Sequence, residues 1–542
     1  MKDKQDLTTG SVPRKLIAFA LPLLLANLLQ SFYSIVDMLV VGRVVGKNGL
    51  AAVSNASMIG FIINSVCIGI TMGGTVVAAQ YKGAGDEKGQ RETVGTLFSI
   101  AFIASILVTV MGLHVYEPLF RVLNVPLEAM EDACGYMRII CWGTVFVFGY
   151  NAVCSIMKGL GDSKSPLYFV AAAAVVNIVL DIILVGPLGL GTKGAAYATV
   201  FSQGISLVIS VVHLKGKDFV FDFRPNHFTI KGDKAAAILK VGLPAAIQMA
   251  VVNISYLLIT GMLNNFGVSV AAASGVGLKV NTLAGMPCWA VGQAVTAMAG
   301  QNMGAKKIGR VKETTRAGLG LNLSITLIAA ILVQIFAKPI IMLFDPVSTD
   351  VIEDGILYLR ICCGVNSLIY AVMYTFDSFA IGIGSANIAM INALLDAVIV
   401  RLPVSWLLAF TAGIGFPGVY IGQALSPLIP AVVGWVYFKS RGWEGRGLIY
   451  GQVELEMEQE NGQEIGQENG QGIGQEIGQE IEREIGQKMG QKMEQVMGQE
   501  VEQAIGRKMR KKMEQAIGRV MEEEIGQKKD AAYGAEDGPD ID

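Results

Sequence analysis

Apolar runs near or above eighteen residues recur along the first 440 positions, separated by short polar segments, and predict about twelve membrane-spanning helices. They fall near 16–41, 50–79, 94–116, 135–157, 166–186 and 194–214, then near 239–263, 270–299, 317–337, 357–381, 387–410 and 417–438. A charge-rich stretch, LKGKDFVFDFRPNHFTIKGDK, runs from Leu214 to Lys234 and separates the two sets. The pattern predicts an all-α polytopic membrane protein: a six-helix bundle over 1–214, a cytoplasmic inter-bundle loop over 215–237, a second six-helix bundle over 238–446 and a tail over 447–542. In that tail Ile477, Ile481, Ile485, Met489, Met493 and Met497 recur every four residues. On a helix of 3.6 residues per turn such a stripe drifts by about 40° per unit, so it cannot hold a heptad seam. A low-complexity cytoplasmic appendage, disordered or intermittently helical, is expected there.

The two sets of helices repeat one another. Gln80, Gly83 and Ala84 match Gln301, Gly304 and Ala305, and ALPLLLANLLQ around Pro22 matches GLPAAIQMAVV around Pro244. KGLGDSKSP from Lys158 has a weaker partner in IGIGSANIA from Ile381. Because six is even, both halves enter the membrane from the same side. The repeat axis then lies along the membrane normal, as in transporters that rock two bundles about a central site.

Charge adds orientation and removes function classes. Lys2, Lys4, Arg14, Lys15, Lys82, Lys88, Arg91, Lys158, Lys164 and the Lys306–Arg316 cluster fall on one side, which places both termini in the cytoplasm. Hydrophobic residues make up 52% of the 542 and charged ones 16%, with a net charge of −2. No basic cluster interleaves with aromatics, which excludes a single-strand nucleic-acid binder. The seven cysteines lack CxxC spacing and the three histidines make no HExxH, so no metal centre, cofactor or enzymatic nucleophile is expected. The first apolar run is too long for a signal peptide and lacks a cleavage site, so it is expected to remain in the mature chain.

Against this apolar background a few polar residues stand out. Asp37 sits about four residues from the outer end of helix 1, and Asp181 about four from the outer end of helix 5, which runs the same way. Asn177 precedes Asp181 by four residues and shares its face, and Thr199 lies about five residues into helix 6. Two acids, an amide and a hydroxyl at one depth can exchange a proton or cage a sodium ion. A charged side chain at membrane depth costs roughly 3 kcal/mol on the more generous scales, and its presence points to use. In the second half, Lys279, Asp377, Asp396 and Arg401 are intramembrane ionisable groups. Lys279 with Asp377 or Asp396 offers either an ion pair or a role in substrate binding or gating. Pro22, Pro244, Pro287 and Pro403 interrupt helices, and Pro22 is the position expected to bend.

The ALP of helix 1 with Asp37, the AAQYKGAGD and MKGLGDSKSP loops, the NIVLD of helix 5 and GQAVTAMAGQNMGA together resemble the multidrug and toxic compound extrusion (MATE) family. Within it they are most similar to the prokaryotic DNA-damage-inducible protein F-like branch, over about residues 10–440. The resemblance implies cation coupling at Asp37, Asn177, Asp181 and Thr199. Other branches carry an acid in helix 7, where PAAIQMAVVNISY has none. The expected function is a monomeric, cell-membrane antiporter. Driven by H⁺ or Na⁺, it would export amphipathic, cationic organic compounds by alternating access. The alternative is a flippase for a lipid-linked sugar, which would need several basic residues in its cavity.

Overall fold

A computed structural model describes residues 6–122, 125–215, 219–445 and 447–449. The helices of the first half are α1 (Val12–Val44), α2 (Lys47–Ala84), α3 (Glu87–Val122), α4 (Leu127–Gly159), α5 (Lys164–Val185) and α6 (Gly191–Lys215). Those of the second are α7 (Gly232–Asn264), α8 (Val268–Gly304), α9 (Ile308–Ile335), α10 (Ala337–Phe344), α11 (Thr349–Cys362), α12 (Val365–Gly382), α13 (Ala386–Thr411) and α14 (Phe416–Ser440). Among the described residues ten of these are long and apolar enough to span a membrane, and α11 with α12, bent by 45°, makes an eleventh. The twelfth expected span, α8, is 37 residues long. Its Gly, Ser, Asn and Lys279 make it less apolar than the others. The repetitive segment 451–527 lies outside the described residues.

Local chemistry explains the helix ends. Gly46 and Gly267 precede α2 and α8 with φ of 85° and 104°, a backbone region open to glycine and closed to most side chains. Gly85 ends α2 in the left-handed conformation, φ 79°. Along the outside of both bundles large apolar side chains such as Leu107, Ile328 and Val432 are exposed, as lipid contact requires.

In the first bundle α2 packs on α4, α4 on α6, and α5 on α1 and α6; in the second α8 packs on α9, α11 and α12, and α7 on α13. The bundles meet through α2 against α7 and α8, and through α1 against α8. At the end of the molecule where Leu7 and Ile449 lie, which we call the base, the repeat builds a two-fold junction. A Cβ on Gly83 would overlap the carbonyl oxygen of Gln301, and one on Gly304 would overlap that of Gln80. Gln301 Nε2 donates to the Gly159 carbonyl (2.9 Å), and Gln80 Nε2 to that of Gly382 (3.4 Å).

The segments that flank the helices, at Leu7 and at Leu448, complete the pairing. Leu7 N donates to Gln301 Oε1 and Leu448 N to Gln80 Oε1, both at 3.0 Å. Leu7 is buried among second-bundle residues such as Ala294 and Met298, and Ile449 among first-bundle residues such as Val77 and Leu97. Each half is therefore closed by the other half's end. The described hydrogen bonds between bundles all lie between the base and the middle of the helices, the farthest being Asn253 Nδ2 to Ser65 Oγ (2.9 Å) and Ser31 Oγ to Met286 Sδ (3.9 Å). The opposite end we call the mouth, and the space between the bundles there the cleft; no hydrogen bond between the bundles is described at that end, and Ile35, Phe61, Leu258 and Leu283, which lie beyond the helix middles, are exposed.

Candidate functional site

Inside the first bundle, toward the mouth, α1, α5 and α6 bring the expected polar residues together. Asp181 and Asn177 are fully buried and Asp37 nearly so, while Thr199 is half-buried. The carboxylates of Asp37 and Asp181 act electrostatically on each other. Tyr136 of α4 lies against Thr199 and within reach of both acids, and Tyr33, one turn before Asp37, lies against Gln30 and Gln203. Neither tyrosine stands out in the sequence as a polar anomaly. Tyr136 has a signal in the repeat, since Tyr358 stands 222 residues later.

Five polar atoms of this cluster are buried without a hydrogen-bond partner among the described residues: Asp37 Oδ1, both carboxylate oxygens of Asp181, and Oδ1 and Nδ2 of Asn177. Buried polar groups are ordinarily satisfied, and each orphan costs about 1–3 kcal/mol. Three side chains orphaned at one spot form a set of hard oxygens suited to a proton or a small hard cation. No basic group is paired with either acid among the described salt bridges.

The second bundle presents the same geometry with other chemistry. Gly194 packs on the backbone of Leu184 as Gly418 packs on Leu408, a spacing of 224 residues, which sets Ser405 opposite Asp181 and Gln423 opposite Thr199. By the spacing of Pro22 and Pro244, Ile259 stands opposite Asp37. Ile259, Tyr358 and Gln423 line a pocket there with Tyr256 and Ser274, and the amide nitrogen of Gln423 has no hydrogen-bond partner among the described residues.

The ionisable residues of that half are arranged differently from expectation. Arg401 Nη2 meets Asp396 Oδ2 at 2.5 Å, Nη1 donates to Ser255 Oγ (3.0 Å), Nε to Ser426 Oγ (3.3 Å), and the guanidinium lies 4.5 Å from the Tyr256 ring centroid. Asn392 Nδ2 donates to Asp377 Oδ1 at 2.6 Å. Lys279 is exposed and pairs with neither acid. The ion pair forms because residues 395–401 of α13 are a π-helix. In an α-helix residues five apart point about 140° away from each other, and the wider turn brings Asp396 and Arg401 onto one face.

Lys158, read as a basic residue of the cytoplasmic edge, stands at the base end of α4 beside Gly159 with its side chain partly buried between the bundles, its ammonium donating to Gln293 Oε1 at 3.3 Å. Pro22 is buried within α1, which continues from Val12 to Val44.

A family model described as MatE matches residues 22–183 and again 244–407, the two halves of the repeat. The probable multidrug resistance protein YpnP of Bacillus subtilis (strain 168) is 30% identical over 82% of this chain and 98% of its own length. The probable multidrug resistance protein NorM of Thermotoga maritima is 27% identical over 82% and 97%. A solved structure described as the outward-facing conformation of a multidrug resistance MATE family transporter superposes with a TM-score of 0.77, at 22% identity over 81% of this chain and 97% of that one. A transporter of the same superfamily from Pyrococcus furiosus gives 0.76 at the same identity, over 81% and 97%. The chain belongs to the MATE family, and is a transporter built into a membrane rather than an enzyme.

Proposed function

We propose that this protein is a cation-coupled multidrug antiporter that exports amphipathic organic compounds by alternating access. H⁺ or Na⁺ is the driving ion, entering from the mouth to Asp37, Asn177, Asp181 and Thr199. The observation that carries this reading is the set of five orphaned polar atoms of Asp37, Asn177 and Asp181, at a place where the other bundle carries Ile259 and Ser405. Names of the curated relatives support drug export, and the basic residues of the sequence support a cell-membrane placement with both termini in the cytoplasm. Cation arrival satisfies the orphaned oxygens, changes the packing of α1 against α5, and so biases the first bundle toward release of the exported compound.

The test is efflux of ethidium from proteoliposomes under an imposed pH gradient and then an imposed sodium gradient. One gradient is expected to drive efflux in the wild type. Asp37→Asn and Asp181→Asn are each expected to lower the driven rate by at least about a hundredfold, since each removes a charged ligand worth roughly 3 kcal/mol, while the protein remains in the membrane. Undiminished driven efflux by both variants would sink the proposal.

A further inference from the structure

One face of α8 carries Lys279, Met286, Gln293 and Gly300 at intervals of seven residues, a spacing that keeps them within about 20° of one another per step. Three of the four meet the first bundle: Gly300 abuts Ala79, Gln293 accepts from Lys158, and Met286 meets Ser31. Lys279 continues that face two turns toward the mouth, beyond the last described hydrogen bond between the bundles, and is exposed, which places it on the cleft side of α8. Lys158 stands at the cleft floor. The two ammonium groups belong to levels about 21 Å apart along α8, at about 1.5 Å per residue.

Neither lysine has a carboxylate within ion-pair distance among the described residues. The titratable groups that act on Lys158 are the thiols of Cys154 and Cys67. Tyr150, about two turns from Lys158 along α4, is buried, and among the described residues its hydroxyl meets only the same Cys154 thiol.

The repeat shows that packing does not demand these groups. The junction pairs Gly159 with Gly382 and Gln80 with Gln301, so Lys158 corresponds to Ile381, Gln293 to Met72, Tyr150 to Met373 and Lys279 to Met58. Ile381 and Met72 lie in a single apolar cluster. Where one side of the axis is filled by Ile and Met, the other carries Lys, Gln, Tyr and Lys. An interior cation without a counter-charge is costly, and a functional partner is the default reading of such a group at membrane depth.

We propose that the cleft floor binds the acidic group of the transported compound. A carboxylate or phosphate oxygen pairs with the Lys158 ammonium and accepts from the Gln293 amide and the Tyr150 hydroxyl, with Lys279 a second basic contact nearer the mouth. This rests on the export reading and narrows it, because an amphipathic acid or zwitterion is then bound in preference to a simple cation. Asp37 and Asp181 are enclosed within the first bundle, so cargo and coupling ion are held at separate places.

The test compares rhodamine 19, whose benzoate is free, with rhodamine 6G, its ethyl ester, by fluorescence anisotropy on the purified full chain in detergent. The wild type is expected to bind the free acid at least about tenfold more tightly. That ratio is expected to fall to about one in Lys158→Met and in Gln293→Glu, and to persist in Lys158→Arg. Gln293→Glu gives Lys158 a resident counter-charge, which keeps the test decisive if Lys158→Met does not fold. Equal affinities in the wild type, binding of neither dye, or a ratio untouched by both Lys158→Met and Gln293→Glu would overturn the proposal. Binding needs no gradient, so a preserved ratio without driven efflux overturns the export reading alone. Displacement of the bound acid by phosphatidic acid, against displacement by benzoate, tells a lipid source of the acidic group from a soluble one.

Discussion

Asp396 and Arg401 are a pair whose two members depend on each other. Both are buried, and the guanidinium uses three of its donors on Asp396, Ser255 and Ser426 while covering the Tyr256 ring. Removing one partner of such a pair typically costs about 3–5 kcal/mol, whereas replacing both by apolar groups is often neutral. Asp396→Leu is therefore expected to lower the thermal unfolding midpoint in detergent, and Asp396→Leu with Arg401→Met to recover most of the loss. A double variant no more stable than the single would show that the pair is not the reason for the burial. At this scale the sequence was informative where chemistry was rare for its surroundings: Asp37, Asn177, Asp181 and Thr199 stand out in apolar helices, and the fold assembles them. Lys158 was not legible, because a lysine near a helix end reads as an interfacial anchor until the partner helix carrying Gln293 is in place.

At the scale of elements, α2 and α8 cross where Gly83 faces the Gln301 carbonyl and Gly304 faces that of Gln80. Both contacts lie on one crossing, so a single added methyl group separates the helices enough to relieve the second site. Gly83→Ala and Gly304→Ala are each expected to cut driven efflux at least about tenfold, and the double variant to be little worse than either, as coupled neighbours behave. Independent, multiplying losses in the efflux rates would refute a shared crossing. The repeat of Gln80 and Gly83 in Gln301 and Gly304 was visible in the sequence, though not that each copy contacts the other rather than itself. Nor was the π-helix at 395–401 legible. An extra residue in a helix leaves the apolar pattern nearly intact, and the repeat spacing changes only from 223 at Gly159 and Gly382 to 224 at Gly194 and Gly418, across a stretch that also holds a second π-helix at 407–411.

For the molecule as a whole, closure at the base depends on two glutamines that each join three pieces of chain. Gln301 holds Leu7 and Gly159, and Gln80 holds Leu448 and Gly382. Replacing either by Leu leaves buried backbone groups unsatisfied, at about 1–3 kcal/mol each, and 1.4 kcal/mol moves a two-state equilibrium about tenfold. Gln80→Leu and Gln301→Leu are expected to shift the population toward a base-open form. The measurement is the distribution of distances between spin labels placed on the base ends of α3 and α9; unchanged distributions in both variants would count against the glutamines as the latch. The two-bundle plan was legible from hydropathy and the even repeat, whereas the latch was not, since it depends on Leu7 and Leu448 meeting residues 294 and 368 positions away.

Because Leu7 completes the second bundle and Ile449 completes the first, the boundary that hydropathy draws at the central loop is not a place where the molecule comes apart. A gene cut there would yield two fragments, each missing a buried plug and each bearing the other's. The duplication has made two copies that can no longer live separately, and their natural unit is the clasped pair.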